Sequence, residues 1–95
     1  MKAKIFAVAK EVKQREVSGR VVAEREIFLG FEREGFDGFV PRVRSGISKS
    51  TGKPFGMAVE GVDVAAFGNY VPKAGDIVNV ECNLYGRIVG ITKIS

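Results

Sequence analysis

The strongest regularity along the chain is a period of two. From Val21 onward, Val21, Ala23, Arg25, Ile27, Leu29 and Phe31 alternate with Val22, Glu24, Glu26, Phe28, Gly30 and Glu32. One set is mostly apolar and the other mostly charged, which is the pattern of a half-buried strand. Residues 3–13 form another β-rich run, joined to the first through Val17-Ser18-Gly19-Arg20, where Ser-Gly signals a turn. Phe55, Met57 and Val59 alternate with Gly56, Ala58 and Glu60, and beyond Gly61 the apolar parity passes to Val62 and Val64. A glycine at such a switch predicts a bulge or sharp bend, the device that lets a sheet curl. Two last runs, 77–84 and 88–94, flank Tyr85-Gly86-Arg87 and read as a hairpin.

The stretch Ala65-Ala66-Phe67-Gly68-Asn69-Tyr70-Val71-Pro72 breaks the alternation and has room for one helical turn, and no window shows convincing helical spacing. At 95 residues the chain is the size of one domain, so 1–95 is read as a single unit with one core. Short strands separated by glycine turns predict an all-β fold. The expected form is a small OB-fold-like barrel of five to six strands, with a protruding basic β-hairpin and at most one short helical turn. So small a domain buries a modest share of its surface, and a second copy would help its stability.

Composition removes several functions. Histidine is absent and Cys82 is the only cysteine, so the chain lacks the usual general base, an internal disulfide and a cysteine metal cage. Cys82 continues the alternation Val78, Val80, Cys82, Leu84 and reads as a core thiol. Glu24, Glu26, Glu32 and Glu34 fit a solvated strand face better than a metal site. No catalytic residue, metal, cofactor or small-molecule substrate is expected. No apolar stretch reaches the roughly 20 residues that span a bilayer, and the apolar run after the basic start is shorter than the roughly 7–15 of a signal peptide. The expected location is the cytoplasm, without a membrane partner.

The distribution of charge says more than its total of +4. Between Asp37 and Glu60 there is no acid, yet Arg42, Arg44, Lys49 and Lys53 fall there, and the other eleven basic residues balance the eleven acidic ones. A basic stripe on an otherwise neutral protein is the footprint of a phosphate-backbone binder, against which stands a solvated hairpin that happens to lack acids. Gly46-Ile47-Ser48-Lys49-Ser50-Thr51-Gly52-Lys53 is not a nucleotide-binding P-loop. Five residues separate its glycines instead of four, and Pro54 stands where the hydroxyl should be. Read as a hairpin, it has a polar tip in which Gly52 supplies positive φ, and Pro54 starts the returning strand.

Arg42, Arg44, Gly46 and Ser48 share one parity and so one face, with Lys49 and Lys53 at the tip, a ladder of phosphate donors. Phe55 beside Lys53 either stacks on bases or caps the core; both readings stand. Phe36 and Phe39 flank the turn Gly35-Phe36-Asp37-Gly38, so one of them, Phe39 in the candidate set, can face out beside the basic strand; the competing reading is packing over glycine gaps. Tyr85, next to Arg87 at the last hairpin's tip, completes the candidates, with packing or a dimer contact as its alternative.

At Arg44-Ser45-Gly46-Ile47-Ser48-Lys49-Ser50-Thr51-Gly52-Lys53-Pro54-Phe55 the chain resembles the gene V-type helix-destabilising proteins of filamentous phages, which carry an Arg-Ser-Gly-Val-Ser-like strand, a basic turn and Gly-Lys-Pro-Tyr. The likeness covers these 12 residues well and the remainder weakly, through a final strand–turn–strand. It implies an OB-like barrel, a symmetric homodimer, cooperative coating of single-stranded DNA in a phage, prophage or plasmid replicating in a bacterial cytoplasm, and no catalysis. By position it implies that Arg44 and Lys49 contact the DNA backbone and that Phe55 stacks. The turn is one residue longer than in that family, phenylalanine replaces tyrosine, and the 43 residues before the motif exceed its usual lead-in. Two other readings remain: an RNA-binding OB-like regulator, and a protein-interaction or assembly module that uses the Gly-Phe turns.

Overall fold

The computed structural model describes residues 1–42, 44–47, 50–57 and 60–95, and for 44–46 and 54–57 the backbone alone. In chain order these residues form β1 (Lys2–Val17), β2 (Arg20–Glu32), β3 (Phe39–Pro41), β4 (Arg44–Ile47), β5 (Pro54–Met57), β6 (Glu60–Asp63), a 3-10 turn (Val64–Phe67), β7 (Ile77–Cys82) and β8 (Ile88–Lys93). The fold is all-β, and the one helical turn among the described residues runs from Val64 into the stretch where the alternation breaks. Asp63 caps that turn, its Oδ1 accepting from the Ala65 amide at 2.9 Å.

Six strands share one antiparallel sheet in the order β3-β2-β1-β7-β8, with β6 pairing β2 on the edge that β3 leaves free, while β4 and β5 form a separate two-stranded sheet. The expected barrel is not closed. Among the described residues no ladder joins β8 to β6; the 3-10 turn packs against β8 beside that seam, inserting buried Phe67 into the core. Across β1, β2 and β7 the pairs Ile5↔Leu29 and Ala3↔Val78 share a face, and with Ile27, Val62, Val80, Ile88 and Ile91 they build one core.

The bulge expected at Gly61 is not among the register shifts, which fall in β1 and at Glu81/Cys82 of β7. β6 pairs β2 without a register shift, whereas β1 shifts against β2 between Ile5 and Ala7 and again between Val8 and Val12. At the second shift the backbone loses ladder partners, and Arg25 compensates, its Nη1 donating to the Ala9 carbonyl at 2.8 Å. Gly61 serves another purpose: a Cβ there would lie 3.1 Å from Oε1 of Glu24. Glu24 crosses that gap and is buried at 7 % exposure, so it does not belong to the solvated face predicted for the four glutamates. Beyond it β1 and β2 run on as a two-stranded ribbon, turned at Ser18 (φ 51) and Gly19 (φ 77), which leaves Val21 71 % exposed despite its apolar parity.

On the sheet's outer face, Phe6 fills the space above Gly30. A Cβ at Gly30 would sit 2.6 Å from Cε2 of Phe6 and 2.8 Å from the Val40 carbonyl oxygen. Between the 3-10 turn and β7, the Tyr70 hydroxyl donates to Oδ2 of Asp76 at 2.6 Å. Burial, then that hydrogen bond, push the phenol from 10.0 up to about 12.

Gly30→Ala is expected to lower stability by about 1–3 kcal/mol through overpacking, read from the denaturant midpoint. Because its folded-state pKa is raised, Tyr70 contributes its full share of stability below pH 10.0 and loses it as pH rises through about 12. Ultraviolet titration should therefore show a phenol ionising near pH 12 that Tyr70→Phe removes.

Candidate nucleic-acid interface

The basic segment forms the hairpin that its turn chemistry predicts. Arg44 pairs with Met57, Ser45 with Gly56, Gly46 with Phe55 and Ile47 with Pro54, so proline opens the returning strand and removes no donor that the body of the sheet needs. Gly52 takes φ +68, and the Lys53 amide donates to Oγ1 of Thr51 at 3.3 Å. Lys53 is exposed and Ile47 is 70 % exposed. Ser48 and Lys49 lie outside the described residues, as do the side chains of Arg44 and Phe55. The choice between a stacking and a core-capping Phe55 therefore falls outside them too.

Arg42 does not join the ladder of donors expected on that hairpin. It precedes β4, its amide donates to the Leu29 carbonyl at 2.9 Å, and its side chain turns into the body. Nη2 donates to the Gly86 carbonyl at 2.7 Å, Nε stands 3.4 Å from Oε2 of Glu60, and the guanidinium lies 5.6 Å from the centre of the Phe31 ring. Nη1 is 3.9 Å from Sγ of Cys82, which is half-buried against the core rather than fully within it. The side chains of Arg42 and Glu60 are 22 % and 10 % exposed, so this is a largely desolvated, multiply bonded arginine with little left to offer a phosphate.

Arg87 is drawn to the same seam. Its Nη2 lies 3.7 Å from Oε2 of Glu24, and Arg15 Nη1 lies 3.7 Å from Oε1. Both distances are those of ion contacts rather than hydrogen bonds. Half of the Arg87 side chain stays exposed, so it can still meet a solvent-borne anion. Between Arg42 and Arg87 the β7–β8 turn is tied to β2 and β6 by side chains where, among the described residues, no backbone ladder closes the sheet. Asn83 shapes that turn: its Oδ1 accepts from the amides of Tyr85 and Arg87 at 3.0 and 3.1 Å. Tyr85 and Leu84 stand out from it at 88 % and 101 % exposure.

Phe39 is half-buried on the outer face opposite Glu32, and Phe36, at 64 %, is the exposed member of the Gly-Phe turn. The structure thus brings Arg42, Arg87 and Tyr85 together at one turn, leaves Lys53 on a separate hairpin and sets Phe39 on the outer sheet. Sequence reading missed Glu24 and Glu60 as the partners of those arginines. It also passed over Phe6 and Phe28, whose rings lie 5.3 Å apart on the outer face. One signal was available: Phe28 is the large aromatic among the glutamates of its strand's polar parity.

Among the described residues no group of three or more His, Cys, Asp or Glu side chains could hold a metal, and no helix is long and apolar enough to cross a membrane. Comparison of the chain with family models, with curated proteins and with solved structures finds no match.

Arg42→Ala is expected to cost about 3 kcal/mol, because it takes the cation from a carboxylate that burial has stripped of water. Combining it with Glu60→Ala should be clearly less than additive in denaturant unfolding, and strict additivity would show that the pair is not coupled.

Proposed function

We propose that this chain binds single-stranded DNA without sequence preference and without catalysis, as a homodimer that coats the strand in the manner of the gene V-type proteins that its hairpin resembles. The observation that carries the reading is the β4–β5 hairpin, which pairs with no other strand among the described residues and holds the acid-free stretch of sequence. Arg44, Lys49 and Lys53 are its phosphate-binding cations and Phe55 its stacking ring. Cations that follow a backbone beside an aromatic that accepts any base give affinity without sequence choice. Arg42 acts one step back: it anchors the root of the hairpin to the β7–β8 turn. Arg87 and Tyr85 form a second edge of the path, and Phe39 a third.

The test is an anisotropy titration of labelled oligo(dT), duplex DNA and oligo(U) across a salt series. Three phosphate contacts per monomer predict a log–log salt slope of about −2, from roughly −0.7 per contact on single strands. Phe55→Ala should weaken oligo(dT) binding by about 1–3 kcal/mol, and duplex should bind far less well because its bases are stacked away. Equal affinity for duplex and single strand would sink the stacking claim; preference for oligo(U) would favour the RNA reading. The interaction-module reading draws on the exposure of Phe36, and it would gain if Phe36→Ser abolished partner binding while Arg44→Ala and Lys49→Ala left it intact.

A further inference from the structure

We infer that the outer face of β1, β2 and β3 carries a second single-stranded DNA contact, built from Phe28, Phe6 and Phe39 with Lys4 and Lys2, on which bases stack away from the hairpin. The inference rests on the single-stranded DNA reading above and adds to it a surface made of none of the hairpin's residues.

The pairing assigns these side chains to one face. Ile27 and Leu29 are core, so Phe28 between them points outward, opposite Ala7. Gly30 pairs with Lys4 on one side and Pro41 on the other, and Glu32 pairs with Phe39. Cross-strand partners share a face, so Lys4, Phe28 and Phe39 lie together. Lys2 reaches the same row, its Nζ 3.5 Å from Oε1 of Glu32. Phe6 joins them through its ring, 5.3 Å from that of Phe28 with the planes 44° apart.

Covering the gap at Gly30 accounts for Phe6. It does not account for Phe28, a large apolar ring that is half-buried on the polar parity of a strand whose core is already filled from the other side. Its partner across β1, Ala7, and Gly30 two residues along its own strand add little bulk beside the rings. Phe28 and Phe6 pack against each other and both stay half-buried, so part of each ring remains open to an occupant, and charge selects it. Lys4 makes no ion pair among the described residues, and the Lys2–Glu32 pair has side chains 49 % and 58 % exposed, where water screens the attraction and a phosphate can replace the carboxylate. Flat rings beside cations suit a strand whose bases are free to stack, and a duplex, with its bases paired inward, cannot use them. Along β2, Phe28 and Phe39's partner Glu32 stand four residues apart, about 13 Å at the usual strand rise, so the face is long enough to hold more than one base.

Photo-crosslinking of iodouracil-substituted oligo(dT) to the full chain, followed by peptide mapping, tests this directly, alongside titrations of Phe28→Leu and Lys4→Gln. Crosslinks on Phe28 or Phe6, and a loss of affinity of about fivefold or more for Phe28→Leu with an unchanged unfolding midpoint, are the expected results. Lys4→Gln should flatten the salt slope by about 0.7. Should Phe28→Leu fail to fold, the crosslink map of the unaltered chain decides. Binding with crosslinks confined to residues 44–55, and full affinity in Phe28→Leu, would overturn this contact and leave the hairpin reading standing. No binding of oligo(dT) at all would overturn both. If Phe28→Leu instead changed the sedimentation of the free protein and left DNA affinity alone, the face would be a contact between copies and the inference would fall.

Discussion

A carboxylate withdrawn from water must find a cation, and two such carboxylates, Glu24 and Glu60, set the arrangement of this protein. Glu24 is admitted beside β6 only because Gly61 has no side chain to stand in its way, and it draws Arg15 and Arg87 toward it. Glu60 holds Arg42, which in turn bonds the Gly86 carbonyl. Together these contacts bind the β7–β8 turn to β2 and β6 along the side where no ladder is found among the described residues. A charge pair is a weak source of net stability, because desolvation offsets most of the attraction. It is nevertheless directional: a guanidinium that satisfies a carboxylate, a carbonyl and an aromatic face has few alternative positions. The seam therefore fixes geometry more than it adds free energy.

That constraint divides the basic residues into two populations. Arg42, Arg15 and, in part, Arg87 neutralise carboxylates of the protein itself. Arg25 is committed to the Ala9 carbonyl that the β1 irregularity leaves without a ladder partner. Lys13 lies 2.6 Å from Glu26 and is held above its ordinary pKa by that partner. With Arg42 spent on Glu60, the excess of positive charge is left to Arg44, Lys49 and Lys53 in the acid-free stretch of sequence. A total charge of +4 is modest, yet it is displayed where neighbouring acids do not cancel it.

Strand alternation made most of the fold legible. The Ser18-Gly19 turn, the final hairpin, the β4–β5 hairpin with glycine at positive φ, and the break before Pro72 all follow from local rules of backbone conformation and period. The candidate site was legible only in part. Arg42 shares a parity with Arg44, and parity alone places both on one face; Arg42 stands outside β3 and β4, where a period of two does not govern it, and its side chain turns to Glu60 and Gly86. Tyr85 at its tip could be read from the turn, whereas Phe36 and Phe39 could not be told apart, since exposure at a loop depends on what packs over it.

Sequence by itself determined the class of fold, the positions of the turns and the concentration of uncompensated charge, because each depends on residues near in the chain. Tertiary structure alone decided that register shifts fall in β1 and not at Gly61, that Glu24 is buried on a polar parity, that Arg42 belongs to the protein's own seam, and that Phe6 meets Phe28. Each of these depends on a register between distant strands, and a shift of one residue in that register exchanges inside for outside without changing any local preference.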